Sequence, residues 1–369
     1  MPRILRLETW VCRQERGSRY EGQGHKFKDT GRVIVLKLTD EDGYEGIATC
    51  LAEMTAEGPL AYLHEIIAPM VVGRHVHERE RIWQEVMLKD RHLVFQPLFV
   101  YGPVDTALWD LAAKRAGLPL YKLIGAYRDS LPVYYSGQFM DEPEDYAVDI
   151  RRAMTMGFKA YKAHVKDRID ILASLRDIAG PDFVLMHDPA ADWSYERALR
   201  CGRELERLGY AWLEEPFKDW HIEKYARLAE ALDIPIAGCE ATPGVHWGVA
   251  QAIARRAVDI VRADVSWKAG VTGTMKIAHL AEANGMDCEI HATLMGPMDI
   301  ANLHCACAIA NTQYFELHMP EHIFMFPMVE PYPIDGAGNI HVPNKPGLGI
   351  TIDWNSADKS SRRVFEIAR

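Results

Sequence analysis

The sequence predicts an α/β protein whose larger part is a parallel β/α barrel, preceded by a smaller α+β domain. Eight short apolar runs, from "LPVYYSG" at Leu131 to "QYFELH" at His318, alternate with amphipathic helical segments. This alternation is typical of parallel strands that are joined by helices. The chain has 369 residues, which is long enough for a barrel and an additional domain.

The region before the barrel has a different pattern. The strand-like runs "VIVLKLTD" and "YEGIATC" are separated by the turn "EDG", and helical patterns follow to about Arg91. A further helix, "DTALWDLAAKRAG", ends at Gly117 before Leu-Pro, which is a helix stop signal. We therefore expect a capping α+β domain over residues 1–125 and a barrel over 126–325. The Pro- and Gly-rich segment 326–369 is expected to pack on the first domain.

Composition excludes several classes of protein. Hydrophobic residues make up 48% and charged residues 25% of the chain, which excludes disordered and collagen-like proteins. The net charge of −10 argues against a nucleic-acid partner, since phosphate binding needs a basic face. No apolar run approaches the ~20 residues that cross a membrane, and the N-terminus lacks the apolar core of a signal peptide. The seven cysteines are scattered, without metal-binding spacing. We expect a cytoplasmic protein without disulfides or a membrane partner.

Titratable residues close seven of the eight apolar runs, at intervals of 24 to 27 residues. Barrel enzymes place their chemistry at the C-terminal ends of the strands, which we call the barrel mouth. The regular spacing therefore predicts that these side chains meet there at a similar height. The seven residues are His164, Asp188, Glu214, Glu240, Asp264, His291 and Glu316.

Three carboxylates, Asp188, Glu214 and Glu240, follow consecutive strands. A lone strand-end carboxylate is commonly a solvated residue or a helix cap. Three that converge repel one another unless a cation neutralises them. Ligation by oxygen alone favours a hard divalent ion, and Mg²⁺ more than Ca²⁺, because Mg²⁺ shares its coordination shell with substrate oxygens and water.

Asp264 and His291 follow adjacent strands on the other side of the mouth. An aspartate that accepts a hydrogen bond from one ring nitrogen orients a histidine and raises its basicity. The other nitrogen is then available to take a proton from a substrate. A lone histidine is commonly structural, but a partner on the next strand favours a general base.

Lys162 and His164 lie two residues apart in "YKAHV", so they share one face of a strand. We expect Lys162 to neutralise a substrate carboxylate and His164 to occupy the position of a second acid or base. Glu316 closes the ring, either as a salt-bridged carboxylate or as a protonated group that donates a hydrogen bond to the substrate carboxylate. His318, two residues later, can approach the mouth or serve a structural role.

At these residues the chain resembles the mandelate racemase subgroup of the enolase superfamily over almost its full length. The matching segments are "DTALWDLAAKRAGLPLYKLIGA", "GFKAYKAHV", "LMHDPAADW", "WLEEPF", "IPIAGCEAT", "DIVRADVSWKAGVTGTMKIAHLAEANG", "EIH" and "PNKPGLGI". The resemblance implies a modified TIM barrel, (β/α)₇β, under an N-terminal capping domain that the C-terminal segment completes. It also implies one Mg²⁺ per subunit and removal of the proton α to a carboxylate.

The family's functional residues carry over to individual positions of this chain. Asp188, Glu214 and Glu240 match the magnesium ligands, and of the neighbours Glu214 and Glu215 the first matches. Asp264 and His291 match the family's Asp/His base pair, and Glu316 matches its strand-eight acid. The chain departs from the subgroup in two places: the second strand carries Lys-x-His where Lys-x-Lys is usual, and Ala190 replaces the Asn of Asp-x-Asn.

The expected reaction is dehydration of a sugar acid to a 2-keto-3-deoxy acid, which is the commoner outcome in the subgroup. Racemisation or epimerisation, with His164 and His291 as paired bases, and cycloisomerisation remain alternatives, as does a non-catalytic metal-binding barrel. The polar segment "RQERGSRYEGQGHKFKDTG" suits a hydroxyl-rich substrate, although a solvated loop would look the same. Its candidate substrate-binding residues are Arg19, Tyr20, Gln23, His25 and Lys26. We expect a homo-oligomer that acts on a small-molecule carboxylate.

Overall fold

The computed structural model describes residues 2–15, 21–22, 25–26, 30–53, 55–89, 97–140, 142–166, 168–292 and 296–367. All seven cysteines are buried and unpaired. Within the described ranges, no helix combines the length and the apolar character that a membrane crossing needs.

The first domain contains a four-stranded antiparallel sheet and the helices that cover it. Its strands are β1 (Ile4–Glu15), β4 (Thr30–Asp40), β5 (Glu45–Leu51) and the distant β15 (Arg363–Glu366), in the order β15-β1-β4-β5; the two-residue strands β2 (Glu21–Gly22) and β3 (His25–Lys26) pair with each other. The helices are α1 (Glu57–Tyr62), continued by a π-helical turn at Leu63–Ile67, α2 (Ala68–Val71), a 3₁₀ turn at Val76–Glu78, and α3 (Arg79–Lys89).

Both faces of this sheet are buried, which explains the nearly unbroken apolar run of β4. Ile34, Leu36 and Leu38 point towards the helices and join the main core. Val33 and Val35 point the other way, where Ile352 of the C-terminal segment covers them. The strand β15 adds to the edge of the sheet by pairing with β1. The C-terminal residues therefore complete this sheet, while the boundaries at residues 125 and 325 stay a prediction.

The eight predicted barrel strands are all present, and a helix follows each of the first seven. The strands are β6 (Ser130–Ser136), β7 (Ala160–Ala163), β8 (Val184–His187), β9 (Leu213–Glu214), β10 (Ile236–Gly238), β11 (Ile260–Ala263), β12 (Asp287–Ile290) and β13 (Phe315–His318). The intervening helices are α6 (Pro143–Thr155), α7 (Ile169–Ala179), α8 (Tyr195–Leu208), α9 (Ile222–Ala231), α10 (His246–Ala254), α11 (Gly270–Ala283) and α12 (Pro297–Ala308). Two helices, α4 (Leu98–Ala116) and α5 (Leu120–Ile124), precede the barrel.

Every recorded pairing between neighbouring barrel strands is parallel, in the order β12-β11-β10-β9-β8-β7-β6-β13. The two ends of this order, β12 and β13, lie next to each other, so the barrel is nearly closed. A short helix, α13 (Glu321–Phe324), and the strand β14 (Asn339–His341), which pairs antiparallel with β6, follow the barrel. Two 3₁₀ turns, Trp354–Ser356 and Lys359–Ser361, lead to β15. The fold is the (β/α)₇β barrel that the sequence predicts.

The interior of the barrel changes from apolar to charged towards the mouth. Tyr134, Ala160, Met186, Trp212 and Ala237 form a buried apolar cluster of their own. Side chains two residues apart on a strand point the same way, so the next inward positions after the first four of these residues are Ser136, Lys162, Asp188 and Glu214. The apolar layer is thus the floor beneath the polar residues at the mouth.

Helix α4 joins the first domain to the barrel. It ends at Gly117, whose left-handed backbone (φ 68°) terminates the helix as predicted, but it begins at Leu98, seven residues before the predicted start. A Cβ at Gly102 would lie 2.4 Å from the carbonyl oxygen of Val265, so glycine is needed where α4 meets the loop after Asp264. Asp105, also on α4, accepts hydrogen bonds from the backbone and hydroxyl of Thr272 at the start of α11. Helix α4 therefore supports the loop that follows Asp264.

Asp105 makes the stability of this junction dependent on pH. Burial raises the pKa of Asp105 to about 7, although hydrogen bonds from Thr272 oppose the rise. The unfolded chain releases this proton near pH 4. Between about pH 4 and 7 the folded protein therefore binds more protons than the unfolded chain, and the free energy of unfolding falls as pH rises.

Replacing Asp105 by Asn is expected to remove this contribution. From pH 5 to pH 8 the free energy of unfolding should fall by on the order of 2 kcal/mol more in the wild-type protein than in Asp105→Asn. Urea denaturation at the two pH values measures the difference, and the exposed Asp182→Asn is the control. Equal slopes in all three proteins would show that Asp105 is ionised throughout this range.

Candidate active site

The structure brings the predicted strand-end residues together at the mouth. Asp188 directly follows β8, Glu214 ends β9, and Glu240 lies two residues after β10. Asp264 and His291 directly follow β11 and β12. All except Glu240, which is partly exposed, are buried.

A second group of charged residues lies deeper, inside the strands. The Lys162 ammonium is 2.6 Å from Glu316 Oε1, 3.0 Å from Glu214 Oε1 and 3.5 Å from Asp188 Oδ2. The Arg262 guanidinium lies between the same two glutamates, with Nε 3.0 Å from Glu214 Oε1 and Nη2 2.5 Å from Glu316 Oε2. Burial would lower the pKa of Lys162, but Glu214 and Glu316 raise it well above its usual range, so Lys162 is protonated. Two cations and two carboxylates form a compact buried network.

Glu316 is the second residue of β13, whereas Asp188, Asp264 and His291 directly follow the ends of their strands. Burial alone would raise the pKa of Glu316, but the charges of Lys162 and Arg262 hold the pKa well below its usual range. Ser136 donates a further hydrogen bond to it at 2.8 Å. Of the two readings of Glu316 that the sequence left open, these contacts favour the salt-bridged carboxylate.

Arg262 was not among the sequence candidates, although the signal was present. It lies two residues before Asp264, so it points into the barrel from the middle of the apolar run "DIVRAD". A fully buried arginine on a strand needs anionic partners. Trp212, another residue that the sequence reading missed, donates its indole N–H to Glu214 Oε2 at 2.9 Å.

The Asp264–His291 pair has the geometry of an oriented histidine. His291 Nδ1 lies 2.6 Å from Asp264 Oδ2, and the backbone amides of Ser266 and Trp267 donate to Asp264 Oδ1, both at 2.7 Å. The other ring nitrogen, Nε2, lies 3.3 Å from Glu240 Oε1. Burial would lower the pKa of His291, but Glu240 and Asp264 outweigh burial and raise the pKa to about 9. The ring is fixed, basic and turned towards the carboxylates.

His164 lies across the mouth from this pair. Its Nδ1 is 2.6 Å from the carbonyl oxygen of Gly137, and its Nε2 is 3.2 Å from Asp188 Oδ2. Tyr161 and Ala163, on the other face of β7, join the main core, as the alternation in "YKAHV" predicts. Both nitrogens of His164 therefore face oxygen atoms, to which an imidazolium ring can donate two hydrogen bonds.

Asp188, Glu214 and Glu240 have the donor set for a hard cation, three carboxylates from consecutive strands. Burial, together with the charges of Glu214 and Asp188, raises the pKa of Glu240 to about 7, although His291 and Arg262 oppose the rise. Negative charge is therefore concentrated between these strands, and a divalent cation would relieve it. The residues present fit such an ion.

Another group of ligand atoms lies closer together. Among the described residues, one nitrogen each of His291 and His318 and one oxygen of Glu316 lie within 4.8 Å of one another. Glu316, however, already binds Lys162 and Arg262, so a metal ion there would lie against two fixed positive charges. Lys162 and Arg262 also contact Glu214, but Asp188 and Glu240 add two further carboxylates there, whereas the group at Glu316 contains only one. Electrostatics therefore favours the three carboxylates as the metal site.

The loops beside the three carboxylates contain strained backbone. Ala190 (φ 42°), Glu215 (φ 44°) and Cys239 (φ 85°) are left-handed although none of them is glycine. They lie two residues after Asp188, directly after Glu214 and directly before Glu240. Such conformations concentrate at functional sites, where the surrounding structure holds them. Glu215 is also a support, because its Oε1 accepts the backbone N–H of Glu240 at 3.1 Å.

The predicted substrate-binding residues of the polar segment are not placed near the mouth by the structure. Arg19, Tyr20 and Gln23 lie outside the described residues, and His25 and Lys26 are described only as backbone of β3. Their role stays a prediction.

Comparison with known proteins agrees with this architecture. The family described as "Enolase C-terminal domain-like" matches residues 145–356, and "Mandelate racemase / muconate lactonizing enzyme, N-terminal domain" matches residues 25–125. Arabinonate dehydratase of Saccharolobus solfataricus is 31% identical over 87% of this chain and 88% of its own length. D-galactarolactone cycloisomerase of Agrobacterium fabrum is 27% identical over 95% and 97%.

A solved structure extends the similarity to three dimensions. D-glucarate dehydratase from Agrobacterium tumefaciens, complexed with magnesium, superposes with a TM-score of 0.85 at 31% identity and covers 96% of this chain and 97% of its own. The two family matches cover β4 and β5 of the antiparallel sheet and the barrel strands β7 to β13. The chain therefore belongs to the enolase superfamily, in its mandelate racemase subgroup.

Proposed function

We propose that the protein is a Mg²⁺-dependent dehydratase of a sugar acid. The observation that carries this proposal is the His291 ring, held at 2.6 Å by Asp264 with its other nitrogen directed at the carboxylates of the mouth. Curated relatives include an arabinonate dehydratase and a cycloisomerase of a sugar-acid lactone, which supports a sugar acid as substrate. The solved relative that contains magnesium supports the choice of metal.

Asp188, Glu214 and Glu240 would hold one Mg²⁺ per subunit. When bound, the ion supplies positive charge that stabilises the negative charge developing on the substrate carboxylate as the α-proton leaves. Lys162, protonated and directed at the same region, adds a second positive charge. The first role of this side of the mouth is to make a weakly acidic α-proton removable.

A cation held by the three carboxylates would offset the charge of Glu240, which raises the pKa of His291, and so would free Nε2 of its proton. His291 then takes the α-proton on Nε2. Asp264 fixes the proton of the ring on Nδ1 and stabilises the imidazolium that forms, so the ring does not rotate or change tautomer during the transfer. Two backbone amides hold Asp264 in turn, and the glycine contact of α4 holds their loop. The first domain thus helps to position the base.

The β-hydroxyl then leaves with its bonding electron pair, and a protonated His164 supplies the proton that converts it to water. The resulting enol takes a proton at C3 and becomes a 2-keto-3-deoxy acid. If the substrate lacks a β-hydroxyl, the same two histidines, on opposite sides of the mouth, can remove and return a proton. This geometry makes racemisation or epimerisation the second candidate function.

The proposal is tested by combining a metal titration with a product assay. Mg²⁺ should raise the melting temperature, because it neutralises the carboxylates at the mouth, and EDTA should reverse the shift. The Asp188→Asn/Glu240→Gln variant is the matched control and should lose most of the shift. With Mg²⁺ present, a panel of aldonates and aldarates should yield a keto acid that semicarbazide detects. A protein that binds Mg²⁺ but forms neither keto acid nor epimer would contradict the enzymatic assignment.

His164→Ala is expected to lower kcat for dehydration by at least ~10²-fold, the usual scale for general acid–base catalysis. The loss should be smaller for a substrate whose leaving group needs no proton, such as a β-fluoro acid. His279→Ala, at an exposed position on α11, is the control and should keep full activity. Equal, modest losses on both substrates would mean that His164 only positions the substrate.

A further inference from the structure

His318 is a third histidine at the barrel mouth, and the proposed reaction does not yet use it. It is the last residue of β13 and is 8% exposed. Its ring centroid lies 6.2 Å from that of His164 and 6.2 Å from that of His291. Phe324 of α13 packs on the ring at 5.6 Å. His318 therefore lies between the two proposed proton-transfer groups.

Neither ring nitrogen of His318 makes a hydrogen bond to any described residue. Nε2 is 3.3 Å from Glu316 Oε1, but the two groups do not have the geometry of a hydrogen bond. Buried polar groups in proteins are nearly always paired, and an exception needs an explanation. The other mouth histidines are satisfied, since His164 and His291 each contact a carbonyl or carboxylate oxygen at 2.6 Å. Among the residues that the structure describes, His318 is thus the mouth histidine without a hydrogen-bond partner.

The surroundings keep His318 neutral. Burial lowers its pKa well below the usual range, and the nearby Lys162 and His164 add to this effect, while Glu316 opposes it. A neutral imidazole offers one N–H donor and one acceptor nitrogen. A hydroxyl group, which is itself both donor and acceptor, matches this pair. A carboxylate, which only accepts, does not.

The position of His318 indicates which part of a sugar acid it meets. The metal-site carboxylates lie on β8 to β10, so the substrate carboxylate belongs on that side of the mouth. His318 lies on β13, which neighbours β6 and β12. Because His164 and His291 flank the reacting carbon, a residue between them on the side away from the metal meets the next carbon of the chain.

We propose that His318 binds the hydroxyl on the carbon next to the reacting carbon and so selects sugar acids that carry a hydroxyl there. This inference rests on the proposed function for the orientation of the substrate. His318 forms hydrogen bonds to the hydroxyl that leaves later in the reaction. The proton for that hydroxyl still comes from His164.

The inference is tested by measuring binding in the His291→Asn background, in which turnover is stopped. The probes are arabinonate, galactarate and glucarate, each compared with its 3-deoxy counterpart by calorimetry with Mg²⁺. With His318 present, the acid that binds most tightly should have an affinity about tenfold higher than its 3-deoxy counterpart, the scale of one neutral hydrogen bond. With His318→Phe, the two members of the pair should bind equally. His318→Gln, which keeps a donor and an acceptor, should restore part of the difference.

Several results would overturn the inference. If His318→Phe changes neither the affinity of the acid nor that of its 3-deoxy counterpart, another residue binds the hydroxyl. If both affinities fall by the same factor, the role of His318 is structural. If no probe binds in a hydroxyl-dependent way with His318 present, the site has no such contact. A large loss of Mg²⁺ affinity in His318→Phe would make His318 a metal ligand. Keto-acid formation by the wild-type protein is a separate measurement, so failure of the proposed function is distinguished from failure of this inference.

Discussion

His291→Asn should lose about 10³-fold or more in kcat for dehydration, because His291 is the base that Asp264 orients on that side of the mouth. General base catalysis contributes 10² to 10⁴-fold to the rates of enzymes. His291 also becomes the imidazolium that Asp264 stabilises. Asparagine can keep the hydrogen bond to Asp264, so the loop after β11 should not move. Steady-state kinetics on the best acid from the panel gives the value.

Two measurements separate this loss from misfolding. The melting temperature and the Mg²⁺-induced shift of His291→Asn should resemble those of the wild-type protein. Hydrogen exchange at the α-carbon in D₂O should disappear together with product formation, since both begin with the same proton transfer. His279→Asn on the exposed face of α11 serves as the histidine control. A His291→Asn protein with full activity would remove the Asp264–His291 pair from the mechanism.

Lys162→Met should affect both stability and activity. The fully buried ammonium lies 2.6 Å from Glu316 and 3.0 Å from Glu214, and methionine removes the charge while keeping most of the side-chain volume. Breaking a buried ion pair from one side leaves an uncompensated charge and costs about 3–5 kcal/mol. Loss of the positive charge near the substrate carboxylate should lower kcat by roughly 10²-fold or more. Chemical denaturation and steady-state kinetics give the two quantities.

A second substitution separates the two effects of Lys162. Glu316→Gln in the Lys162→Met background removes one of the unpaired negative charges, so the double variant should recover part of the lost stability. It should not recover activity, because the positive charge at the mouth is still missing. If Lys162→Met is as stable as the wild-type protein, Arg262 alone balances the two glutamates.

The sequence predicts the barrel well because its signals are local. Eight apolar runs of strand length with intervening amphipathic helices predict the order β6 to β13, and the titratable residues that close seven of these runs locate the mouth. The alternation of side chains in "YKAHV" predicts that Lys162 points into the barrel, away from Tyr161. Each of these inferences needs only the period of a strand and the rule that barrel chemistry lies at strand ends.

The parts that the sequence does not predict depend on contacts between distant strands. Arg262 lies two positions before a candidate residue, but only the packed barrel shows that it shares Glu214 and Glu316 with Lys162. The same network explains why Glu316 is ionised, since both of its cationic partners come from other strands. That His318 has no hydrogen-bond partner within the described ranges is visible only in the packed barrel.

The central claim is that the protein removes the α-proton of a sugar acid and then expels the β-hydroxyl. NMR analysis of the product formed in D₂O with Mg²⁺ tests it most directly. The account predicts a 2-keto-3-deoxy acid with one solvent deuterium at C3, formed by the wild-type protein and not by His291→Asn. Deuterium at C2 of a recovered or epimerised acid, without loss of water, would contradict dehydration in favour of racemisation or epimerisation. Absence of both exchange and product with every acid of the panel would contradict the claim altogether.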